Sequence, residues 1–288
     1  MKIGYNPPSM EAYNALLKTG RGLNVSSARL STGIKINKAS QNAAGLAISN
    51  SLRTQTEGVD KAGQNSANAI TLLQTAEGAL GEMHAILQRM RELTVQASND
   101  TNETDDRENM QKEIDQLKAE LDSMSDRCEF NQIKLLRGGG NETEYDADGN
   151  ITRNALMLTF HTGANKGYNM KVEIPPVSTH SLGVNDLDVV TGTTPADRAL
   201  PIAKMDAAID SISKHRSALG AYMNRLQHTV TYLDASHSAA SASLSRIYDT
   251  DMAAEMSHYS RLQVLTQTAT SIMAQANQTP QNVLQLLQ

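Results

Sequence analysis

Residues 69–90, which read AITLLQTAEGALGEMHAILQRM, decide the fold class of this 288-residue chain. Apolar residues recur there in alternating steps of four and three, which is the spacing of a coiled-coil seam and not of a β-strand. The stretch therefore predicts a long helix that packs along one narrow face. The seam positions are Ala69, Leu73, Ala76, Leu80, Met83, Leu87 and Met90.

Two later segments, residues 110–128 and 205–247, repeat this spacing. At about 1.5 Å per residue, a helix over the longer segment would measure roughly 60 Å, which predicts a rod and not a ball. Arg216 and His237 interrupt the apolar seam of that segment. The shorter segment presents Met110, Ile114, Leu117, Leu121, Met124 and Cys128.

The ends of these elements follow from capping and breaking residues. We expect Asp105 or Asp106 to cap the helix over residues 110–128, and the three glycines at residues 138–140 to end the helical part. The long helix over residues 205–247 should begin after Pro201. Turn signals at Asp148-Gly149 and at residues 163–167 predict a small β region, with strands at residues 155–160 and 168–174.

Both ends of the chain carry apolar stripes, which isolated helices of this composition cannot bury. A terminal apolar stripe is a candidate partner surface. We therefore expect the two ends to lie side by side and to assemble with other copies. The stripe positions are Leu16, Leu23 and Leu30 in the N-terminal segment and Leu262, Leu265, Ile272, Val283, Leu284 and Leu287 in the C-terminal segment.

The composition excludes several classes of protein. Aromatic residues make up 3% of the chain and Trp is absent, which argues against a thick globular core. The net charge of −5, with both signs spread along the chain, lacks the basic face that nucleic acid requires. No apolar run approaches the roughly 20 residues of a membrane span, and no Sec-type signal follows Lys2. We expect no nucleic-acid partner, no membrane insertion, and export by another route.

No group of residues supports catalysis, metal binding or a cofactor. The seven histidines lack the spacing of a zinc site, and DADGN at residues 146–150 matches only part of a calcium loop, so that a β-turn is the better interpretation. The single cysteine, Cys128, continues an apolar seam and is interpreted as a buried structural thiol. The sequence predicts a protein that is not an enzyme and uses no cofactor.

Several stretches resemble bacterial flagellin. They include RLSTGIKIN at residues 29–37, NAAGLAI at 42–48 and LQRMRELTVQ at 87–96. Residues 130–136 are similar to an FNGxxLL segment, with Gln132 in the glycine position. The C-terminal matches are SRI at 245–247 with Asp249 and Asp251, AQANQ at 274–278, PQ at 280–281, VL at 283–284 and LL at 286–287.

The resemblance covers nearly the whole chain and implies a mainly α fold: a long antiparallel helical rod or coiled-coil bundle with a small β-hairpin region and paired terminal helices. An inner domain would combine residues 1–43 with 246–288, and a rod domain with β-hairpins would combine residues 44–176 with 198–245. Residues 177–197 would be a short connection in place of large outer domains. The implied function is a structural subunit that self-assembles into the flagellar filament for swimming motility.

The resemblance also implies partners and a location. The subunit would leave the cell unfolded through the flagellar type III apparatus, without a cleaved Sec signal, after a chaperone has masked its C-terminal helix. It would polymerise outside the cell, under a filament cap and next to hook-junction proteins. Arg89, Leu93 and Glu113 match positions at which flagellins contact the flagellin-sensing Toll-like receptor or a neighbouring protofilament.

Two other functions stay open at this point. A flagellar hook–filament junction protein shares the terminal similarity, and a secreted helical adhesin or receptor ligand would need no assembly. Residues 87–96 and 274–281 favour flagellin over the junction protein. Residues 5–10, with Pro7-Pro8, depart from the family's usual opening.

Overall fold

The computed structural model describes residues 6–139, 154–191 and 195–286, with the backbone alone for residues 195–198 and 279–286. The prediction of a mainly α chain with a small β region is confirmed. Its elements are α1 (Pro7–Thr32), α2 (Ala43–Ala97), α3 (Thr104–Arg127), β1 (Glu129–Phe130), β2 (Ile133–Lys134), β3 (Leu156–His161), β4 (Asn169–Ile174), α4 (Pro195–Tyr248) and α5 (Met252–Leu286).

The chain divides into two compact units. We call Met1–Thr56 with Ser238–Gln288 the terminal unit, and Glu57–His237 the central unit. Helices α2 and α4 contribute residues to both units.

The core of the central unit is the seam of α2. Every seam position predicted in residues 69–90 is buried, and burial at the same spacing continues back to Val59 and on to Ala97. Each fully buried Leu, Ile or Met side chain contributes roughly 1.5–3 kcal/mol. Two hydroxyl groups in this seam are satisfied locally, because Ser66 Oγ donates to the Ala62 carbonyl oxygen (2.8 Å) and Thr94 Oγ1 to that of Met90 (2.7 Å).

Residues 177–191 pack into this core as a series of turns. The Asp122 carboxylate on α3 accepts hydrogen bonds from the Thr179 amide and hydroxyl, each at 2.8 Å, and Lys118 Nζ donates to the Leu187 carbonyl oxygen at 2.9 Å. The segment is therefore anchored along one helix. Its buried side chains are Val177, Thr179, Leu182, Val184, Leu187 and Val189.

The two predicted strands are confirmed as an antiparallel hairpin, with β3 and β4 paired from Leu156↔Ile174 to His161↔Asn169. The inward face of β4 is fully apolar because alternate residues of a strand point to the same side. That face consists of Met170, Val172 and Ile174, which are buried in the core.

Two predicted helix starts are wrong. Helix α3 begins at Thr104 after Glu103, so neither Asp105 nor Asp106 is its N-cap; the Asp106 carboxylate instead accepts a hydrogen bond from the Glu103 amide (3.4 Å), as in a capping box. Helix α4 begins at Pro195 and contains Pro201. Pro201 is buried, and it continues the α4 seam four residues before Met205, so packing offsets the hydrogen bond that proline cannot donate.

The predicted end of the helical part is also wrong, because α3 ends at Arg127 and a short hairpin of β1 and β2 follows. Its two-residue loop places Asn131 at φ +48° and Gln132 at φ +67°, which is the backbone of a type I′ turn. Asn often adopts this left-handed backbone conformation and Gln seldom does, so only Asn131 could have indicated the turn from the sequence. Gly140 and the turn predicted at residues 146–150 lie outside the described residues.

Candidate assembly surface

Helix α1 has well-defined ends. Asn6 is its N-cap and accepts a hydrogen bond from the Ser9 amide (3.4 Å), and Pro7 occupies the first helical position, where the missing N–H costs nothing. Gly33 ends the helix with φ +71°, a conformation that glycine adopts without strain. Pro7-Pro8 therefore serves as a helix start, whereas Tyr5 lies outside the described residues.

Helices α1 and α5 pack against each other in an antiparallel pair. The contacts run from Asn6 Nδ2, which donates to the Ala276 carbonyl oxygen (2.8 Å), to Arg29 Nη1, which lies 3.6 Å from Glu255 Oε2. This pairing confirms the expected arrangement of the terminal helices. Residues that are buried or half-buried again follow steps of four and three: Ala12, Leu16, Thr19, Leu23, Ser26 and Leu30 on α1, and Glu255, Tyr259, Leu262, Thr266, Ala269, Met273 and Ala276 on α5.

Small and polar side chains occupy much of this terminal seam. A Cβ atom at Gly22 would lie 3.3 Å from Leu262 Cδ1, so the glycine lets the leucine approach the α1 backbone. Ser26 is buried, and among the described residues its Oγ has no hydrogen-bond partner. Such a group costs about 1–3 kcal/mol. The terminal pair is therefore held less tightly than the Leu- and Met-rich core of the central unit.

Large apolar side chains remain exposed on both sides of this seam. Tyr13 and Met256 directly follow the seam residues Ala12 and Glu255, whereas Leu265 and Ile272 directly precede Thr266 and Met273. Residues just after and just before a seam position flank the seam on opposite sides. We call these residues, together with the other exposed large apolar side chains of α1 and α5, the flanking surface: Met10, Tyr13, Leu17, Met252, Met256, Val264, Leu265 and Ile272.

The predicted stripe is thus divided between two environments. Four of its members lie in the seam, namely Leu16, Leu23, Leu30 and Leu262. Leu265 and Ile272 are 45% and 51% exposed. Val283 and Leu284 belong to the part of α5 described by its backbone alone, and Leu287 lies outside the described residues. Six further exposed residues were not predicted. Tyr13, Leu17 and Met256 directly follow seam residues and could have been identified from the spacing, whereas Met10, Met252 and Val264 do not adjoin a seam residue.

Of the three predicted receptor or protofilament contacts, the structure brings two together. Arg89 Nη2 and Nε on α2 lie 2.8 Å and 3.0 Å from Glu113 Oε1 on α3, and this ion pair raises the pKa of the Arg89 guanidinium further above its ordinary value. Leu93 is 2% exposed and packs in the central core. The exposed apolar residue of this stretch is Val95.

Arg216 and Cys128, two residues of the central unit that could carry chemistry, are explained by their local contacts. Arg216 Nη2 lies 2.7 Å from Glu77 Oε1, which explains why a charge is tolerated in the α4 seam. Cys128 is half-buried at the end of α3, and burial raises the pKa of its thiol, which disfavours the reactive thiolate.

Within the described ranges, no three His, Cys, Asp or Glu side chains are placed to hold a metal ion, and no helix carries an apolar stretch long enough to cross a bilayer.

Comparison with known proteins matches both ends of the chain to one family. Residues 3–141 match the N-terminal helical region of bacterial flagellin, and residues 202–287 match its C-terminal helical region. A flagellin of Bacillus subtilis is 41% identical, and a 33 kDa core protein of the flagellar filament of Treponema phagedenis is 38% identical, each over the full length of both chains.

A solved structure is similar in fold: a protein of Vibrio parahaemolyticus assigned as flagellar hook-associated, at a TM-score of 0.61 and 14% identity over 73% of this chain and all of the other. That likeness concerns the fold alone. The two family matches and the full-length relatives, in contrast, agree in sequence, order and extent. The chain therefore belongs to the bacterial flagellins, the structural subunits of the flagellar filament, and is not an enzyme.

Proposed function

We propose that this chain assembles by covering its flanking surface with the terminal units of neighbouring copies. The resulting polymer is the filament, which lies outside the cell and serves swimming. The observation that carries the proposal is the exposure of Leu265 and Ile272 beside a seam whose positions are already occupied by other residues. Apolar area removed from water contributes about 25 cal/mol per Å². Exposed residues on both sides of one seam give a subunit more than one neighbour, as a polymer requires.

The test of this proposal is polymerisation of chains that lack residues 1–40 or 250–288. Each truncated chain should retain the cooperative unfolding of the central unit, whose core lies within residues 59–233, and should form no filaments by negative-stain microscopy after seeding. The full-length chain, prepared in parallel, is the control. Filaments of normal length from either truncated chain would contradict the proposal.

Four finer features belong to the same proposal. A chaperone would mask the exposed apolar residues of α5 before export, the chain would leave unfolded through the flagellar type III apparatus, and it would add under a cap on a base of hook-junction proteins. The inner, rod and connecting segments would be those expected from the sequence. A chaperone complex that leaves Val264, Leu265 and Ile272 as exposed to labelling as in the free chain would argue against the first of these.

Recognition by a host Toll-like receptor is a second candidate function, and the Arg89–Glu113 pair favours it. The pair presents a cation and an anion together on one surface of α2 and α3. Leu93 would act by holding α2 in place from within the core. Monomer should activate receptor-bearing cells, and Arg89→Ala should reduce activation at unchanged helicity. Arg127→Ala, which removes another exposed ion pair, is the matched control.

The function as a hook–filament junction protein predicts a different polymer. Such a protein forms short assemblies of fixed extent, whereas the proposed subunit forms filaments whose length grows with protein concentration. A secreted adhesin predicts monodisperse monomer under all polymerising conditions. Light scattering followed by microscopy of the same sample separates the three functions.

A further inference from the structure

Exposed methionines are concentrated in the terminal unit. Among the described residues, four methionines are exposed, and three of them, Met10, Met252 and Met256, belong to the flanking surface. The fourth, Met157, lies on the outward face of β3 in the central unit. The flanking surface thus combines the residues that assembly would cover with the side chains most easily oxidised.

The exposed methionines of the terminal unit are accessible to solvent, and Met256 lies directly beside the terminal seam. Met256 directly follows Glu255, whose carboxylate forms an ion pair with Arg29. The Met256 side chain is 51% exposed. Met252 starts α5 four residues earlier and is 46% exposed. In the unassembled chain both thioethers are open to small solutes.

The methionines of the central core provide the opposite case in the same chain. Met83, Met90 and Met205 are fully buried in the seams of α2 and α4. A buried thioether is reached only when the surrounding helices open, so its oxidation should be slow as long as the central unit is folded. Within one chain, the rate of oxidation should therefore follow burial.

We infer that hydroperoxides oxidise Met10 at one end of the α1–α5 pair and Met252 and Met256 at the other, and that conversion of these thioethers to sulfoxide prevents subunit assembly. The inference rests on the proposed function, because it requires the flanking surface to be covered in the polymer. A polar sulfoxide replaces a flexible apolar side chain that would pack against a neighbour. Assembly would protect the same atoms, so that the free subunit is sensitive and the filament is resistant.

The reaction is a two-electron oxidation of the thioether. A lone pair of the sulfur forms a bond to one oxygen of hydrogen peroxide while the O–O bond breaks, and a proton passes to the leaving oxygen, which departs as water. The sulfur is oxidised and the peroxide is reduced. Methionine sulfoxide reductases reverse the change, which makes the site a switch and not only a lesion.

The consequence for assembly follows from the cost of burying an unpaired polar group. A sulfoxide oxygen that loses its water in the interface and gains no hydrogen-bond donor weakens the contact between subunits. The free-energy cost of burying an unpaired polar group corresponds to a loss of about tenfold or more in affinity. The critical concentration for polymerisation should rise by at least about tenfold. Folding of the central unit should not change, because its methionines stay buried.

The experiment treats the full-length monomer with hydrogen peroxide, reads each methionine by peptide mass spectrometry, and measures the critical concentration. We expect sulfoxide at Met10, Met252, Met256 and Met157 well before Met83 or Met90, and loss of polymerisation that a sulfoxide reductase restores. Peroxide treatment of preformed filaments should leave Met252 and Met256 largely unmodified.

Two variants assign the effect to this surface. The triple variant Met10→Leu, Met252→Leu and Met256→Leu should polymerise after peroxide treatment as it does before, because leucine preserves volume and cannot be oxidised. The matched control Met157→Leu should stay sensitive. An unchanged critical concentration at full conversion of the three sulfurs would overturn the inference, as would peroxide sensitivity of the triple variant. Failure of the untreated chain to polymerise contradicts the proposed function instead, and the order of oxidation then decides the modification site alone.

Discussion

The terminal and central units use the same four-and-three spacing and reach different degrees of burial. In the central unit the seam of α2 is filled by Leu and Met side chains that are almost without exposed area, and hydroxyl groups within it are hydrogen-bonded. In the terminal unit the seam between α1 and α5 mixes Leu, Tyr and Met with Ala, Thr, Ser and Glu, and further large apolar side chains stay exposed outside it. Periodicity therefore identifies a seam, whereas the degree of its burial and the apolar area left outside it decide whether the unit is complete alone or needs neighbours.

The largest expected effect is the loss of a central seam residue. Leu87→Ala should lower the free energy of unfolding of the central unit by about 2–5 kcal/mol, because Leu87 is fully buried and its removal leaves a cavity. The terminal counterpart, Leu265→Ala, should change monomer stability by less than about 0.5 kcal/mol, as exposed substitutions do. Chemical denaturation of the monomer, monitored by circular dichroism, measures both. Equal losses would contradict the comparison.

The sequence predicted the seams well because the coiled-coil spacing is a local property, and residues 69–90 are buried at every predicted position. It could not predict which part of a terminal stripe faces the partner helix. That choice depends on how α1 and α5 are aligned, and the alignment places Thr266 and Ala269 inward and leaves Leu265 outside. Leu93 and Val95, two residues apart on α2, likewise could not be separated into a buried and an exposed residue from their types alone.

The hairpin of β1 and β2 shows a second limit of sequence reasoning, since Gln132 occupies a left-handed conformation that glycine prefers. Gln132→Gly should raise the stability of the central unit by about 1 kcal/mol, because the left-handed region costs a side chain with Cβ about that much. Thermal unfolding at fixed protein concentration is the measurement. The control is Gln111→Gly within α3, which should destabilise, because glycine is unfavourable in a helix and the Gln111 side chain binds the Val189 amide.

The polar content of the terminal seam allows a substitution that strengthens it. Ser26→Ala should stabilise the α1–α5 pair by about 1 kcal/mol, because it removes a buried hydroxyl that has no partner among the described residues and favours the helix. Amide hydrogen exchange of α1 in the monomer should slow by several-fold. Ser66→Ala in the central seam, where the hydroxyl is hydrogen-bonded, should give no such gain; faster exchange in α1 after Ser26→Ala would show that its hydroxyl is satisfied.

The smallest expected effect is a pH dependence confined to the central unit. Burial lowers the pKa of His215, so the unfolded chain binds a proton near pH 6.5 while the folded chain does not. The stability that neutral His215 contributes is full above about pH 6.5 and is lost as the pH falls through the lowered pKa of the folded state. Between about pH 7.5 and 5, His215→Gln should lose less unfolding free energy than the unchanged chain, by a fraction of a kcal/mol. Identical pH profiles of the two chains would remove His215 as the cause.

Exposed apolar residues beside the terminal seam are proposed to drive assembly, and a single measurement can decide whether they do. It is the critical concentration for filament formation of the full-length double variant Leu265→Ser and Ile272→Ser. The control is Gln263→Ser with Thr268→Ser on the same helix, where two exposed polar residues change and the helix is perturbed to a similar degree. We expect the critical concentration to rise about tenfold or more for the first pair, with unchanged monomer unfolding, and to change little for the control. Equal critical concentrations for the two double variants would contradict it.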